Sequence, residues 1–168
     1  MALIIISIIC IGLCYKWGDW RNWRLYYPTM LFYVIGQLTE TIITDDKTLW
    51  SIHGLMWNDA LADYFMAFFI FPFIIILFLS NFPKKITRQI LRILIFVFAL
   101  SLIEYTAQIS NVITYHNGWS FGWSILLYIG MLPLLRLHYK NSLLALVIFF
   151  ALIGTGIVYF GIPIGDLK

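Results

Sequence analysis

Charge is what this chain has least of. Eleven Lys and Arg and eight Asp and Glu make up 11% of its 168 residues, against about 25% in ordinary soluble domains. So little polar surface excludes a water-soluble fold of this length, whereas a bilayer tolerates residues that are apolar all round. The net charge of +3 is scattered along the chain, which argues against a nucleic-acid partner, since that needs basic residues gathered on one face. Only two cysteines occur, Cys10 and Cys14. They stand at i, i+4 with no CxxC pair and no nearby His. Neither a disulfide framework nor a metal site is therefore expected, and small apolar packing explains them. There is no Gly-rich phosphate loop, no GxSxG elbow and no HExxH sequence, and no cofactor is expected. Internal repeats and low-complexity tracts are absent too, so a transporter built from inverted repeats has no support.

What fills the chain instead is hydrophobic sequence, 62% of residues, in six apolar runs near 2–16, 26–43, 60–80, 90–111, 120–135 and 143–162. A crossing helix needs about 20 residues, within a range of about 17–25. The pattern predicts an all-α polytopic bundle of about six transmembrane helices, one integral-membrane domain over 1–168, with the lipid bilayer as its first partner. The first run is short. It lacks a basic n-region and an Ala-x-Ala-like cleavage site, so a retained helix is expected rather than a cleaved signal.

The basic residues orient the chain. Lys16, Arg21, Arg24, Lys84, Lys85, Arg88, Arg92, Arg136 and Lys140 fall in or beside the breaks after runs one, three and five, and only Lys47 and Lys168 fall on the other side. Cytoplasmic loops carry the Lys/Arg excess, so both termini are expected outside. Trp17, Trp20 and Trp23 sit in the first break, and Trp50, Trp57, Trp119 and Trp123 near the opposite face, as amphipathic rings at headgroup level would. The three-residue spacing of the first group beside Arg21 and Arg24 predicts a short interfacial helix, a membrane anchor in the simplest reading and a lipid-specific contact in the other. Pro28 is placed in the first turn of its helix. Pro72 should kink span three, and Pro133 acts similarly in span five. Gly154 and Gly156 are small enough for close helix approach.

Acidic residues are sorted the opposite way. Only Asp19 falls among the basic breaks, while Glu40, Asp45, Asp46, Asp59, Asp63, Glu104 and Asp166 lie toward the other face. Ionisable groups at membrane depth are costly and face the bundle interior. At a 1.5 Å rise per residue, Glu104 lies roughly 18 Å beyond Arg92 and Glu40 roughly 21 Å beyond Tyr26, both just past the midplane of a core about 30 Å thick. Helical spacing groups Gln37, Glu40 and Thr44 on one face of span two, and Asp59 with Asp63 on span three. Ser101, Glu104 and Gln108 share a face of span four. If these three stripes converge, they line a pocket opening outward, with His116 and His53 in the adjoining loops. A carboxyl in such a site favours its neutral form. The plainer alternative is that the same groups only hydrogen-bond the helices together.

A resemblance accompanies these residues. The run Tyr27-Pro28-Thr29-Met30-Leu31-Phe32, with Leu49-Trp50, Ile103-Glu104, Asn117-Gly118-Trp119, Trp123-Ser124 and Leu135-Arg136-Leu137-His138-Tyr139-Lys140, resembles an uncharacterised family of small multi-spanning proteins of spore-forming Gram-positive bacteria. It covers about 24 to 150. The family tends to have amides near Gln37 and Glu40, so Glu40 is a local feature, and a proline where this chain has Asn141-Ser142. The resemblance implies a bacterial plasma-membrane protein and supplies no activity.

Three function classes follow. The polar pocket (Gln37, Glu40, Asp59, Asp63, Ser101, Glu104, Gln108 and His116) binds a small solute or protons, as in a minimal permease or sensor. Alternatively, Glu104 or Asp63 acts as general acid of an intramembrane enzyme on a lipid or isoprenoid, with aromatic rings stabilising a cation. In the third class the stripe is an interface, with a second copy or another membrane protein as partner. The apolar stretches 68–79 and 93–100 lower the case for an open channel.

Overall fold

The computed structural model describes residues 2–54 and 59–163, and among them the chain forms six helices and one short β-ribbon. The helices are α1 (Ala2–Trp17), α2 (Trp23–Ile43), α3 (59–79), α4 (Ile86–Ile109), α5 (Phe121–Lys140) and α6 (Ser142–Phe160). The ribbon pairs β1 (Trp50–Ile52) with β2 (Ile113–Tyr115) in antiparallel register, Trp50 opposite Tyr115 and Ser51 opposite Thr114. Trp57 and Asp166 lie outside the described residues, as does the side chain of Asp59.

The expected all-α fold is therefore present. Four helical stretches, 61–79, Ile86–Ile109, Phe121–Lys140 and Ser142–Phe160, are long and apolar enough to cross a membrane, which marks this as a membrane protein. Helix α1 is apolar but short. Helix α2 has the length, 21 residues, but Gln37, Thr39, Glu40 and Thr41 dilute its hydropathy. Charge sorting gives the bundle a basic end, holding the breaks after α1, α3 and α5, and an acidic end, where the ribbon lies.

Helices α2 and α5 form the middle. α2 packs against α3 and α5, α1 lies on α3, and α4 and α6 flank α5. The main core gathers Tyr26, Met30, Phe32 and Tyr33 of α2 with Ile75, Phe78 and Leu79 of α3 and Leu132 and Leu135 of α5. Cys10 and Cys14 face inward as free thiols: Cys14 is buried in this core and Cys10 packs against Ala62 and Ile70. By contrast Ile8, Phe98, Val147 and Val158 are more than 60% exposed, which only a lipid surround makes sensible.

Local irregularities follow from sequence, though not always as expected. Pro72 does not simply kink α3. The turn before it, Met66–Ile70, widens to a π-helix, and the amide of Phe71 bonds to the carbonyl of Met66. A proline cannot donate to the carbonyl four residues back and its ring crowds that group, so the helix accommodates an extra residue there. Pro28 lies inside α2 rather than in its first turn, because the helix begins at Trp23; the missing donor leaves the carbonyl of Arg24 without its helical partner. The expected interfacial helix is instead a 3-10 turn, Trp20–Asn22, with Trp17 ending α1 and Trp23 starting α2. All three indoles are exposed, and Lys16, Arg21 and Arg24 lie over Trp17, Trp20 and Trp23 at 4.5, 5.5 and 5.8 Å from the ring centres. Gly154 and Gly156 meet open space; the close approach falls at Gly36, where an added Cβ would stand 3.3 Å from the Phe149 ring.

Candidate functional site

Glu104 is the most enclosed acid among the described residues, 7% exposed on α4. Tyr115 of β2 donates its hydroxyl to Oε1 at 2.6 Å, and Tyr128 of α5 donates to Oε2. No basic residue bonds to this carboxyl among the described residues. The two phenols arrive from different elements for different reasons. Tyr128 lies one helix away, in the tightly packed α4–α5 pair. Tyr115 is delivered by the ribbon, whose position is set by backbone bonds from His53 to Val112 (2.7 Å) and from His116 to Leu49 (2.8 Å). Burial, and then the hydrogen bond and charge of Glu104, push the Tyr115 phenol above its ordinary value, so it stays protonated and acts as a donor. One turn inward on the same face of α4, the Ser101 hydroxyl is buried without a hydrogen-bond partner among the described residues.

A second polar line runs along α2. Tyr33 donates to Gln37 Oε1 (3.3 Å), Gln37 Nε2 to Glu40 Oε2 (3.4 Å), and Thr44 Oγ1 to Glu40 Oε1 (3.1 Å). Spacings of three and four residues place these groups on one helical face. Asp63 of α3 meets this line at Gln37 and Thr41, around a gap of about 10 Å³, the size of one water. Tyr33, the inner end of this line, is buried and stacked on Phe71 of α3.

The predicted residues thus divide. Gln37, Glu40 and Asp63 come together between α2 and α3, while Glu104 is held by Tyr115 and Tyr128. The side chain of Gln108 is half-buried, and its backbone carbonyl accepts from the Asn111 backbone amide at 3.0 Å. His116 is exposed on the ribbon, where its Nε2 and that of His53 both bond to Thr114 Oγ1, at 3.1 and 3.0 Å. His138 is buried at the basic end against Thr29 Oγ1 (3.1 Å) and stacked on Phe32. Among the described residues no group of three His, Cys, Asp or Glu is arranged to hold a metal. Tyr33, Tyr115 and Tyr128 escaped the sequence reading, because a tyrosine in an apolar run scores as an aromatic and only a buried partner betrays its hydroxyl. Trp50, Trp119, Trp123, Tyr159 and Phe160 form an aromatic cluster of tilted and edge-on rings, in which Trp119 Nε1 donates to Ser124 Oγ at 3.0 Å.

No family model, curated protein or solved structure matches the chain. The fold defines a small helical membrane protein, and any function rests on its own residues.

Proposed function

We propose that this protein sits in the bacterial plasma membrane, with its basic end cytoplasmic and both termini outside, and that its outer half is a proton-responsive sensor centred on Glu104. The kinship with small multi-spanning proteins of Gram-positive bacteria belongs to the same proposal, as does the crossing of the membrane by α1 and α2 in addition to the four longer, more apolar stretches. The observation that carries the reading is the pair of phenol donors on Glu104, one from a helix and one from the ribbon. An ionised carboxylate accepts both bonds as charge-assisted contacts, which are roughly twice as strong as neutral ones. Protonation turns one oxygen into a donor and weakens the hold on Tyr115. The charge state of Glu104 thereby sets how firmly the outer ribbon is docked. The water-sized gap at Asp63 favours protons over a larger solute, and the apolar stretch 93–100 below Ser101 favours a sensor over a conduit.

Hydrogen exchange of the 113–115 amides in nanodiscs tests this. Protection, corrected for intrinsic exchange, should fall as pH is lowered, and Glu104→Gln, fixed in the neutral form, should remove that dependence. His53 and His116 both bond to Thr114 of the same ribbon, so a pH response that survives in Glu104→Gln would point to them and overturn the proposal. Orientation is checked separately: in intact cells an impermeant thiol reagent should label Lys47→Cys and spare Lys85→Cys, in a Cys10→Ala/Cys14→Ala background.

A further inference from the structure

Helices α3 and α4 follow one another in sequence yet meet mainly at the basic end, where Phe78 stacks edge-on against Phe96 and the Arg92 guanidinium reaches back to the carbonyls of Leu77 (2.7 Å) and Asn81 (3.1 Å). Beside this contact is an open groove of about 530 Å³, lined by Trp17, Leu77, Arg88, Leu91, Arg92 and Ile95. Its chemistry is graded along α4. Arg88 and Arg92 lie one turn apart on the same face, Arg88 in the first turn of the helix, and Leu91 and Ile95 continue that face inward. From Arg88 to Ile95 the face descends about 10 Å, a third of a hydrocarbon core about 30 Å thick. Trp17, 58% exposed, stands at the polar mouth.

We infer that this groove is a binding site for an anionic phospholipid, its phosphate between Arg88 and Arg92 and the upper part of one acyl chain along Leu91, Ile95 and Leu77. Charge complementarity commits the site to that occupant. No acid lines the groove. The one acid among the basic breaks, Asp19, is engaged by Asn22 (2.9 Å) and Tyr26 (3.2 Å). Positive charge is concentrated instead: Arg92 and Arg136 both lie over the Phe82 ring, at 5.7 and 4.4 Å. The Nε of Arg136 is buried without a hydrogen-bond partner among the described residues. A free phosphate would satisfy the arginines but leave Leu91 and Ile95, each more than half exposed, with nothing to fill the groove. The inference is independent of Glu104.

The test is native mass spectrometry of the full chain released from mixed phosphatidylglycerol and phosphatidylcholine nanodiscs. One phosphatidylglycerol should be retained in preference to phosphatidylcholine, and Arg88→Gln should lower that preference about fivefold, the effect of one basic residue near an anionic surface. Ile95→Trp, which fills the groove without touching charge, should lower it as well, whereas Lys84→Gln outside the groove should not. Arg88 and Ile95 are exposed, so neither change threatens folding. The inference is overturned if no preference exists, if Lys84→Gln and Arg88→Gln reduce it equally, if Ile95→Trp leaves it intact, or if inorganic phosphate competes the lipid away.

Discussion

The two ends of this bundle hold together in different ways. At the acidic end, directed polar contacts tie both consecutive and distant elements: Tyr115 and Tyr128 on Glu104, Asn117 Nδ2 on the Thr48 carbonyl at 2.8 Å, and Lys47 Nζ on the Phe160 carbonyl at 2.6 Å. At the basic end, buried rings form the core, beside hydrogen bonds such as those of Arg92 to Leu77 and Asn81. Phe78 is wholly buried against Phe82 and Phe96, Tyr26 stacks on Tyr139, and Arg136 covers Phe82. The difference teaches how helices associate where lipid tails are as apolar as leucine. With little hydrophobic force between helices, tight packing and hydrogen bonding both serve. Only the second kind of contact can respond to protonation.

The largest effect should come from breaking the ring-packed end. Phe78→Ala leaves a cavity and should cost about 3–4 kcal/mol, read as a lower unfolding midpoint in nanodiscs; Phe98→Ala, at a position 70% exposed, should cost far less. Equal losses at the two positions would erase the distinction between packed and lipid-facing rings. Next comes the acidic end. Glu104→Leu strands the hydroxyls of Tyr115 and Tyr128 and should cost about 2 kcal/mol, while Glu104→Gln, which keeps an acceptor and a donor, should stay within about 1 kcal/mol. If Leu proves as stable as Gln, the phenols do not depend on the carboxyl.

Smaller effects sharpen the contrast. Thr29→Val removes the bond to His138, a polar contact within the ring-packed half, and should cost about 0.6 kcal/mol, the average for such bonds between membrane helices. Lys47→Met removes a cation from the C-terminus of α6, where Gly161 adopts the left-handed cap at φ 58°. A loss of about 0.5 kcal/mol is expected there, with raised hydrogen exchange confined to the last turn of α6. Fraying that spreads along the helix would mean that Lys47 anchors α6 as a whole.

Sequence by itself determined the helices and the sorting of charge between the two ends. Both are local and additive: an apolar run of sufficient length becomes a helix whatever its neighbours, and a Lys or Arg in a break needs no partner to be counted. It also placed Glu104 deep and Gln37, Glu40 and Thr44 on one face, because helical spacing is fixed by 3.6 residues per turn. Tertiary structure alone decided what those faces meet. The partners of Glu104 lie 11 and 24 residues away, on elements whose rotation and docking no periodicity records. The ribbon is formed by three-residue strands more than 60 residues apart, each too short to show an alternation. The widened turn before Pro72 was hidden for a related reason: a proline announces a lost hydrogen bond, but whether the helix bends or takes in an extra residue depends on what packs against it.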